Sequence, residues 1–376
     1  MNVVPVKDAS QLEAFIRLPW QIYSGDKDWV PPLVQSERKM LDPARNPFWK
    51  QAEGAHFILE KQDRVAGRIT AIVNRAHNEF HKDTTGFWGF FECINDGESA
   101  RALFDRAAEW LRERGMTRML GPVNPSLNDS GGILIEGFGL PPFIMMPYSR
   151  PYYRSLVEDA GFAKAMDLYA YLILHNELNR ERIDRISRMV KERAEVTIRP
   201  VNLSRFQEEL EIVKDIYNDA WEKNWGFVPM SEDEVRFAAK EMKAVLLPEL
   251  AYIAELKGRP VAFSIALPDV NRALKKCNGS LWPFGWWHFL KFNLRRIPTF
   301  RMVALGVRRE VQNLGLGTLF YQKYMDEGLK RNYYAAELSW ILEVNQPMNR
   351  AIRLTGAKLY KTYRLYERPL GSAPPG

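Results

Sequence analysis

One turn has the residue types and spacing for anion chemistry: Gln312, Gly315 and Gly317, in the order Q-x-x-G-x-G, between a β-rich run at 302–307 and a helical run beyond it. Glycine has no Cβ, so backbone N–H groups at such a turn can approach an anion closely. A helix that opens there adds unpaired N–H donors and the positive end of its dipole, which suits a phosphate or pyrophosphate. Arg308 and Arg309 stand just before the turn, where guanidinium groups would meet phosphate oxygens.

A second stretch differs in kind. Between Asn271 and Arg309 the chain has nine basic residues and no Asp or Glu. The whole protein, with 53 Lys and Arg against 46 Asp and Glu, carries only +7. Trp282, Trp286, Trp287 and Phe289 are interleaved with Lys291, Arg295 and Arg296. Indole rings beside cations suit the headgroup depth of a bilayer, and these seven residues are the candidates for membrane or lipid contact.

Other chemistries lack their residues. His77 and His81 are four apart, but the order H-N-E-F-H misplaces the glutamate of H-E-x-x-H, so they read as surface histidines and no metal is expected. The two cysteines, Cys93 and Cys277, have no partner spacing, which points to a reducing compartment. There is no G-x-S-x-G and no G-x-x-x-x-G-K-[ST]. No basic leader precedes an apolar run, and no apolar stretch approaches the roughly 18–20 residues of a membrane span. The expected location is cytoplasmic, or peripheral on the inner membrane.

The elements that must position the turn come in two series of the same order: strand, helix, helical or loop segment, hairpin, strand, helix, strand, short helix, strand. The first series runs through strands at 55–61 and 64–73 (a hairpin) and 87–94, a helix at 98–114 with Ala100, Leu103, Phe104, Ala107 and Leu111 at helical spacing, a long turn-rich loop at 121–143, and a strand at 165–174. The second repeats it with strands at 252–257, 260–267, 302–307, 335–342 and 358–368. The ends RPYYRSLVEDAGFAKAMDLYAY and NQPMNRAIRLTGAKLYKTYRLYE share a short helix, a glycine, a lysine and a Tyr-rich strand. The chain reads as an internal duplication: residues 1–178, a helical connector at 179–196, and 197–376 with an insertion at 268–299.

This order, with Q-x-x-G-x-G after the fourth strand, resembles the GNAT (Gcn5-related N-acetyltransferase) superfamily in tandem form. The resemblance implies an α/β (α+β) fold in which each copy is a mixed, mostly antiparallel sheet flanked by helices. Strands 4 and 5 would splay apart in the C-terminal copy to admit acyl-CoA as donor. It further implies that Gln312, Asn313, Leu314, Gly315, Leu316, Gly317 and Thr318 wrap the CoA pyrophosphate, and that backbone N–H groups at Leu305, Gly306 and Val307 polarise the thioester carbonyl. The later family signature N-x-x-A-x-x-x-Y-x-x-x-G-F reads Asn345, Met348, Ile352, Gly356, Ala357, so isoleucine stands at the tyrosine position. Candidate bases are Glu337 and Glu343; Tyr360 and Tyr363 are the candidate acids, with Asn345 beside the site. In the first series the turn is Asn95-Asp96-Gly97-Glu98-Ser99, whose two carboxylates would repel a pyrophosphate, and Arg150 and Val157 replace the signature asparagine and tyrosine. One active cleft is therefore expected, in the second copy.

GPVNPS, PFGWW and the tandem layout also resemble the group that contains bacterial ceramide synthases. That implies an N-acyltransferase acting on a lipid-type amine such as a sphingoid base. Acyl carrier protein is the alternative donor, and nucleic acid is not an expected partner. Two further readings are an aminoacyl-tRNA-dependent transferase of cell-wall precursors and a non-catalytic acyl-CoA or ligand binder.

Overall fold

The computed structural model describes residues 1–283, 285–287 and 296–371. The chain divides into two compact units, and each takes pieces from several parts of the sequence. Unit 1 comprises Met1–Leu168, Leu274–Trp287 and Lys361–Gly376; unit 2 comprises Tyr169–Ala273 and His288–Tyr360.

Unit 1 is a mixed sheet built on the antiparallel strands β1 (Asn2–Pro5), β2 (Ala52–Lys61), β3 (Arg64–Asn74) and β4 (Thr85–Cys93). β5 (Arg118–Gly121) runs parallel to β4 through Thr85↔Arg118, Gly86↔Met119 and Phe87↔Leu120. The unit closes with the last strand of the chain, β13 (Lys358–Pro369), whose residues from Lys361 onward belong to it and pair with β5 and with β6 (Ile133–Glu136). Helices α1 (Ala9–Ile22) and α2 (Val34–Leu41) cover one face, where Phe15, Ile16, Val34 and Leu41 are buried. α4 (Gly97–Arg112) and α5 (Tyr153–Asp159) cover the other. On α4 the residues Ala100, Leu103, Phe104, Ala107 and Leu111 fall on one stripe at helical period, and all are fully buried. β6 lies inside the stretch expected to be only loop. The short α3 (Arg75–His81), capped by the Asn74 side chain, was also not anticipated. His77 is a correction: it lies buried on α3, with its ring edge-on to Phe87, rather than on the surface.

Unit 2 is a sheet in the order β12 (Ala335–Leu342), β11 (Thr299–Val307), β10 (Arg259–Pro268), β9 (Ala251–Leu256) and β8 (Val196–Pro200); β7 (Ala163–Leu174), which belongs here from Tyr169 on, lies beside β12. All pairs from β8 to β11 are antiparallel, and β11 with β12 is parallel. α6 (Arg180–Arg193), α10 (Gly317–Arg331) and α11 (Gln346–Leu354) pack on one face; α7 (Phe206–Trp221) packs on the other, followed in the chain by α8 (Glu232–Lys243) and, after β10, by α9 (Asn271–Cys277), which belongs to unit 1 from Leu274 on. Local signals set the ends. Ser231 and Glu234 form a capping box on α8. Asn345 caps α11 by accepting from the Met348 N–H, a contact worth about 1 kcal/mol.

Candidate acyl-transfer site

The two parallel strands of unit 2 pair over only four residues: Thr299↔Ala335, Phe300↔Ala336, Arg301↔Glu337 and Met302↔Leu338. Beyond Met302 and Leu338 they part, and the rest of β11, including Leu305, Gly306 and Val307, pairs only with β10 among the described strands. A β-bulge at Val303 marks the change in register. The splay expected between strands 4 and 5 is thus present in this copy.

Where β11 ends, the chain makes a short 3₁₀ helix (Arg309–Leu314), reaches Gly315 at φ +75°, and starts α10 at Gly317. The left-handed conformation at Gly315 is one that L-residues adopt at a cost of about 1–2 kcal/mol. Gln312, Asn313 and Gly315 are exposed, Leu314, Gly317 and Thr318 half-buried, and Leu316 is buried as an anchor. The Gln312 amide donates to the Val307 carbonyl at 3.3 Å. No carboxylate stands within the turn, and Glu310 just before it is paired with Arg259 at 3.0 Å. An anion at the α10 N-terminus would therefore meet N–H groups and no opposing charge. The neighbouring arginines are partly engaged. Arg309 bridges Asp219 (3.5 Å) and Glu222 (2.5 Å), and Arg308 donates to the Pro260 carbonyl at 3.3 Å.

At the parting of the strands sits a buried polar cluster. Glu337 is fully buried; it accepts hydrogen bonds from the Ser339 and Tyr360 hydroxyls, and Arg301 Nε lies 3.5 Å away. Arg301 also donates to Ser339 Oγ (2.8 Å) and to the Ser339 carbonyl (3.2 Å). The period of a strand explains the grouping: Arg301, Glu337 and Ser339 share one face, while Phe300, Met302, Ala336 and Leu338 take the other. Of the five expected catalytic residues, Glu337 and Tyr360 meet. Glu343 follows β12, half-exposed, and Asn345 is spent on capping α11. Tyr363 lies on the part of β13 that belongs to unit 1, opposite Leu134. Ile352, at the tyrosine position of the signature, is buried in the core of unit 2.

Arg301, Ser339 and Asn349 were missed. Asn349 is buried, accepts from the Tyr171 hydroxyl at 2.9 Å and donates to the Leu342 carbonyl at 3.0 Å, tying α11 to β7 and β12. A signal existed for the first two: polar residues two apart within an otherwise apolar β-run, Thr299 and Arg301 in T-F-R-M-V and Glu337 and Ser339 in E-L-S-W.

The equivalent places in unit 1 are filled by the chain itself. At the α4 N-terminus Asp96 accepts from the Ser99 N–H (3.0 Å) and from Lys61 Nζ (2.8 Å); the Lys61 contact holds its carboxyl below the usual carboxylate range. Beyond Phe87 and Leu120 the segment after β5 lies against β4. Val123 N–H donates to the Trp88 carbonyl (2.9 Å), and the Asn124 side chain accepts from the Phe90 N–H (2.6 Å). A Cβ on Gly89 would fall 1.6 Å from the Val123 carbonyl oxygen, so the approach requires glycine. Unit 1 also holds a buried carboxylate, Glu92, bonded by Tyr153 (2.5 Å) and Tyr23 (2.9 Å), with its pKa raised by burial.

The tryptophans of the basic segment lie on unit 1. Asn278 accepts from the Trp20 indole (3.0 Å), and Val34 N–H donates to the Gly279 carbonyl (3.0 Å), which pins the turn after α9. Trp282 is 78% exposed, Trp286 44% and Trp287 48%. Arg296 is exposed; Phe289, Lys291 and Arg295 lie outside the described residues. No helix among the described residues is long and apolar enough to cross a membrane, and none of their His, Cys, Asp and Glu side chains form a group of three or more able to hold a metal ion.

A sheet with a parallel strand pair occurs twice, splayed beside a glycine turn in one copy and closed in the other, as in a tandem GNAT fold. Solved structures agree. The tandem GNAT protein from the clavulanic acid biosynthesis pathway superposes with a TM-score of 0.57 over 99% of both chains at 13% identity. A GCN5-related N-acetyltransferase from Sphaerobacter thermophilus gives 0.55 over 98% of this chain and 96% of that one, at 12% identity. No protein-family model matches the chain. Among curated proteins it is 36% identical to protein YghO of Escherichia coli K12, over 96% of this chain and 93% of that protein. It is 32% identical to the bacterial ceramide synthase of Caulobacter vibrioides, over 98% of each. The chain belongs to this family of tandem GNAT-fold, acyltransferase-type proteins.

Proposed function

We propose that the protein is an acyl-CoA-dependent N-acyltransferase whose acceptor is a lipid-type amine of the sphingoid kind. The observation that carries this reading is the junction of three features in unit 2: strands that part after Met302 and Leu338, a carboxylate-free glycine turn at the α10 N-terminus, and the buried Glu337 bonded by the half-buried Tyr360 at the parting. The similarity to a bacterial ceramide synthase supports the acceptor class.

In this reading residues 312–318 hold the CoA pyrophosphate, and the thioester lies in the gap against Leu305–Val307. The amine nitrogen attacks the thioester carbon. As the C–N bond forms and the C–S bond breaks, a backbone N–H of β11 stabilises the developing oxyanion. The proton lost by nitrogen passes to Glu337, directly or through Ser339. The Tyr360 hydroxyl, which already donates to Glu337, gives its proton to the departing thiolate and is reprotonated from Glu337. Ile352 removes the usual tyrosine acid, and Tyr360 takes that role from a neighbouring strand. Unit 1, with Asp96 at its helix end and its strand gap closed, contributes no second CoA site. Trp282, Trp286 and Trp287 bring the protein to the bilayer surface where such an acceptor resides.

The test is turnover measured as free thiol, with long-chain acyl-CoA against a panel of amines, in parallel with acyl carrier protein and aminoacyl-tRNA as donors. Amine-dependent thiol release with acyl-CoA is expected. Transfer from aminoacyl-tRNA alone would overturn the donor assignment.

A further inference from the structure

Unit 2 contains an apolar cavity of about 60 Å³ between α10 and the paired stretch of β11 and β12. Phe300 and Met302 of β11 and Ala336 and Leu338 of β12 form its floor; Tyr321 and Met325 of α10 form its roof. The hydroxyls near it are mostly engaged. The Tyr324 hydroxyl donates to the Leu250 carbonyl (3.2 Å) and lies within hydrogen-bond distance of Ser264 Oγ (3.0 Å), and Tyr321 donates to the Met348 sulfur (3.5 Å). The buried Tyr333 hydroxyl, without a partner among the described residues, is the exception. One end of the cavity is Met302 and Leu338, the last pair before the strands separate; the other reaches His175 and the half-exposed Tyr334. Along β12 from Leu338 to Ala335 that is roughly 10 Å, at about 3.3 Å per residue.

The helix above it carries a second observation. Gly328 lies inside α10, lines the cavity, and has only the Tyr333 Cβ, at 3.9 Å, near the place a Cβ would occupy. Alanine would fit there and would favour the helix by about 1 kcal/mol. The fold has no steric need for glycine at this position; what glycine does is leave the space empty. Close-packed interiors leave few voids larger than a water, and an apolar one stays dry and accepts apolar ligands.

We propose that this cavity receives the first stretch of the hydrocarbon tail of the acyl donor, entering where β11 and β12 part, and that acyl chains long enough to fill it are favoured over acetyl. The inference rests on the acyl-CoA reading above. It places the tail on the face of the sheet opposite Glu337, so that binding of the tail and proton transfer use alternate residues of the same two strands.

The test measures kcat/KM for acyl-CoA donors from acetyl to palmitoyl with one fixed amine, for the wild type, Gly328→Ala and Gly328→Leu, with thermal melts as the fold control. The wild type is expected to favour long chains. Gly328→Leu should lower the ratio of long-chain to acetyl kcat/KM at least tenfold, and Gly328→Ala should shift it in the same direction by a smaller factor without lowering the melting temperature. If Gly328→Leu does not fold, the ratio for Gly328→Ala decides. An unchanged ratio in folded variants overturns the cavity assignment, as does a loss that follows the tail of the amine rather than of the donor. A wild type that turns over no thioester of any length would instead sink the acyltransferase reading itself.

Discussion

Gly315 allows the anion-site reasoning to be tested by charge alone. Replacing it by Gln or by Glu imposes the same backbone cost, about 1–2 kcal/mol for an L-residue at φ +75°. It also adds nearly the same volume, since a Cβ there meets Val190 Cγ2 at 3.5 Å, an ordinary contact. The two variants should therefore melt together, a few degrees below the wild type. They differ in one negative charge at the mouth of the α10 N-terminus. At about 6 Å from a pyrophosphate charge, and with an effective dielectric near 20, the repulsion is about 3 kcal/mol; exposure and salt reduce it to about 1–3 kcal/mol. Acyl-CoA should bind Gly315→Glu roughly 5- to 100-fold more weakly than Gly315→Gln, with a gap that narrows as salt rises. Isothermal titration calorimetry at two ionic strengths reads both quantities. Equal affinities of the Glu and Gln variants would refute the placement of the pyrophosphate at this turn.

Tyr360→Phe removes one hydroxyl from the Glu337 cluster; kcat should fall by about 10²–10⁴ while stability changes by only about 1 kcal/mol, and an unaltered kcat in steady-state assays would exclude Tyr360 as the acid. Arg301→Met leaves Glu337 buried without its cation and should destabilise the fold by about 3–5 kcal/mol in urea titrations; a loss under 1 kcal/mol would mean that the pair carries little. Trp286→Ser with Trp287→Ser should weaken co-sedimentation with anionic vesicles without shifting the melt, because both rings are substantially exposed; full retention would remove the interfacial role. Burial depresses the His77 pKa to about 4 from an ordinary 6.5. The unfolded chain therefore binds the proton more readily, and stability present above pH 6.5 is lost as pH falls toward 4. His77→Leu should flatten that loss by roughly 2–3 kcal/mol, and identical pH slopes would contradict it.

The repeated order of elements was legible because it rests on local signals. Apolar stripes such as Ala100 to Leu111, alternating strands, and turn residues such as Gly315 declare themselves within a few residues. What was not legible depends on partners distant in sequence. That β13 crosses from unit 2 to unit 1 after Tyr360 follows from its pairing with β5 and β6, some 230 to 250 residues earlier, and no local pattern encodes it. The strand Ile133–Glu136 was hidden by the turn formers on either side of it. Glu337 was readable as a carboxylate on a strand. Its setting was not, because Arg301, Ser339 and Tyr360 come from two other strands and from its own, and only their shared face brings them together. The closure of the first copy was half legible: the carboxylates of Asp96 and Glu98 were visible in the turn, whereas the packing of residues 121–124 against Gly89 was not.

The central claim is tested most directly by incubating the purified protein with a long-chain acyl-CoA and a sphingoid-type amine, and counting free thiol and new amide together by mass spectrometry. One amide per thiol, dependent on the amine and lost in Tyr360→Phe, is the predicted result. Thiol released without amide, or no release above the rate without amine, would contradict it.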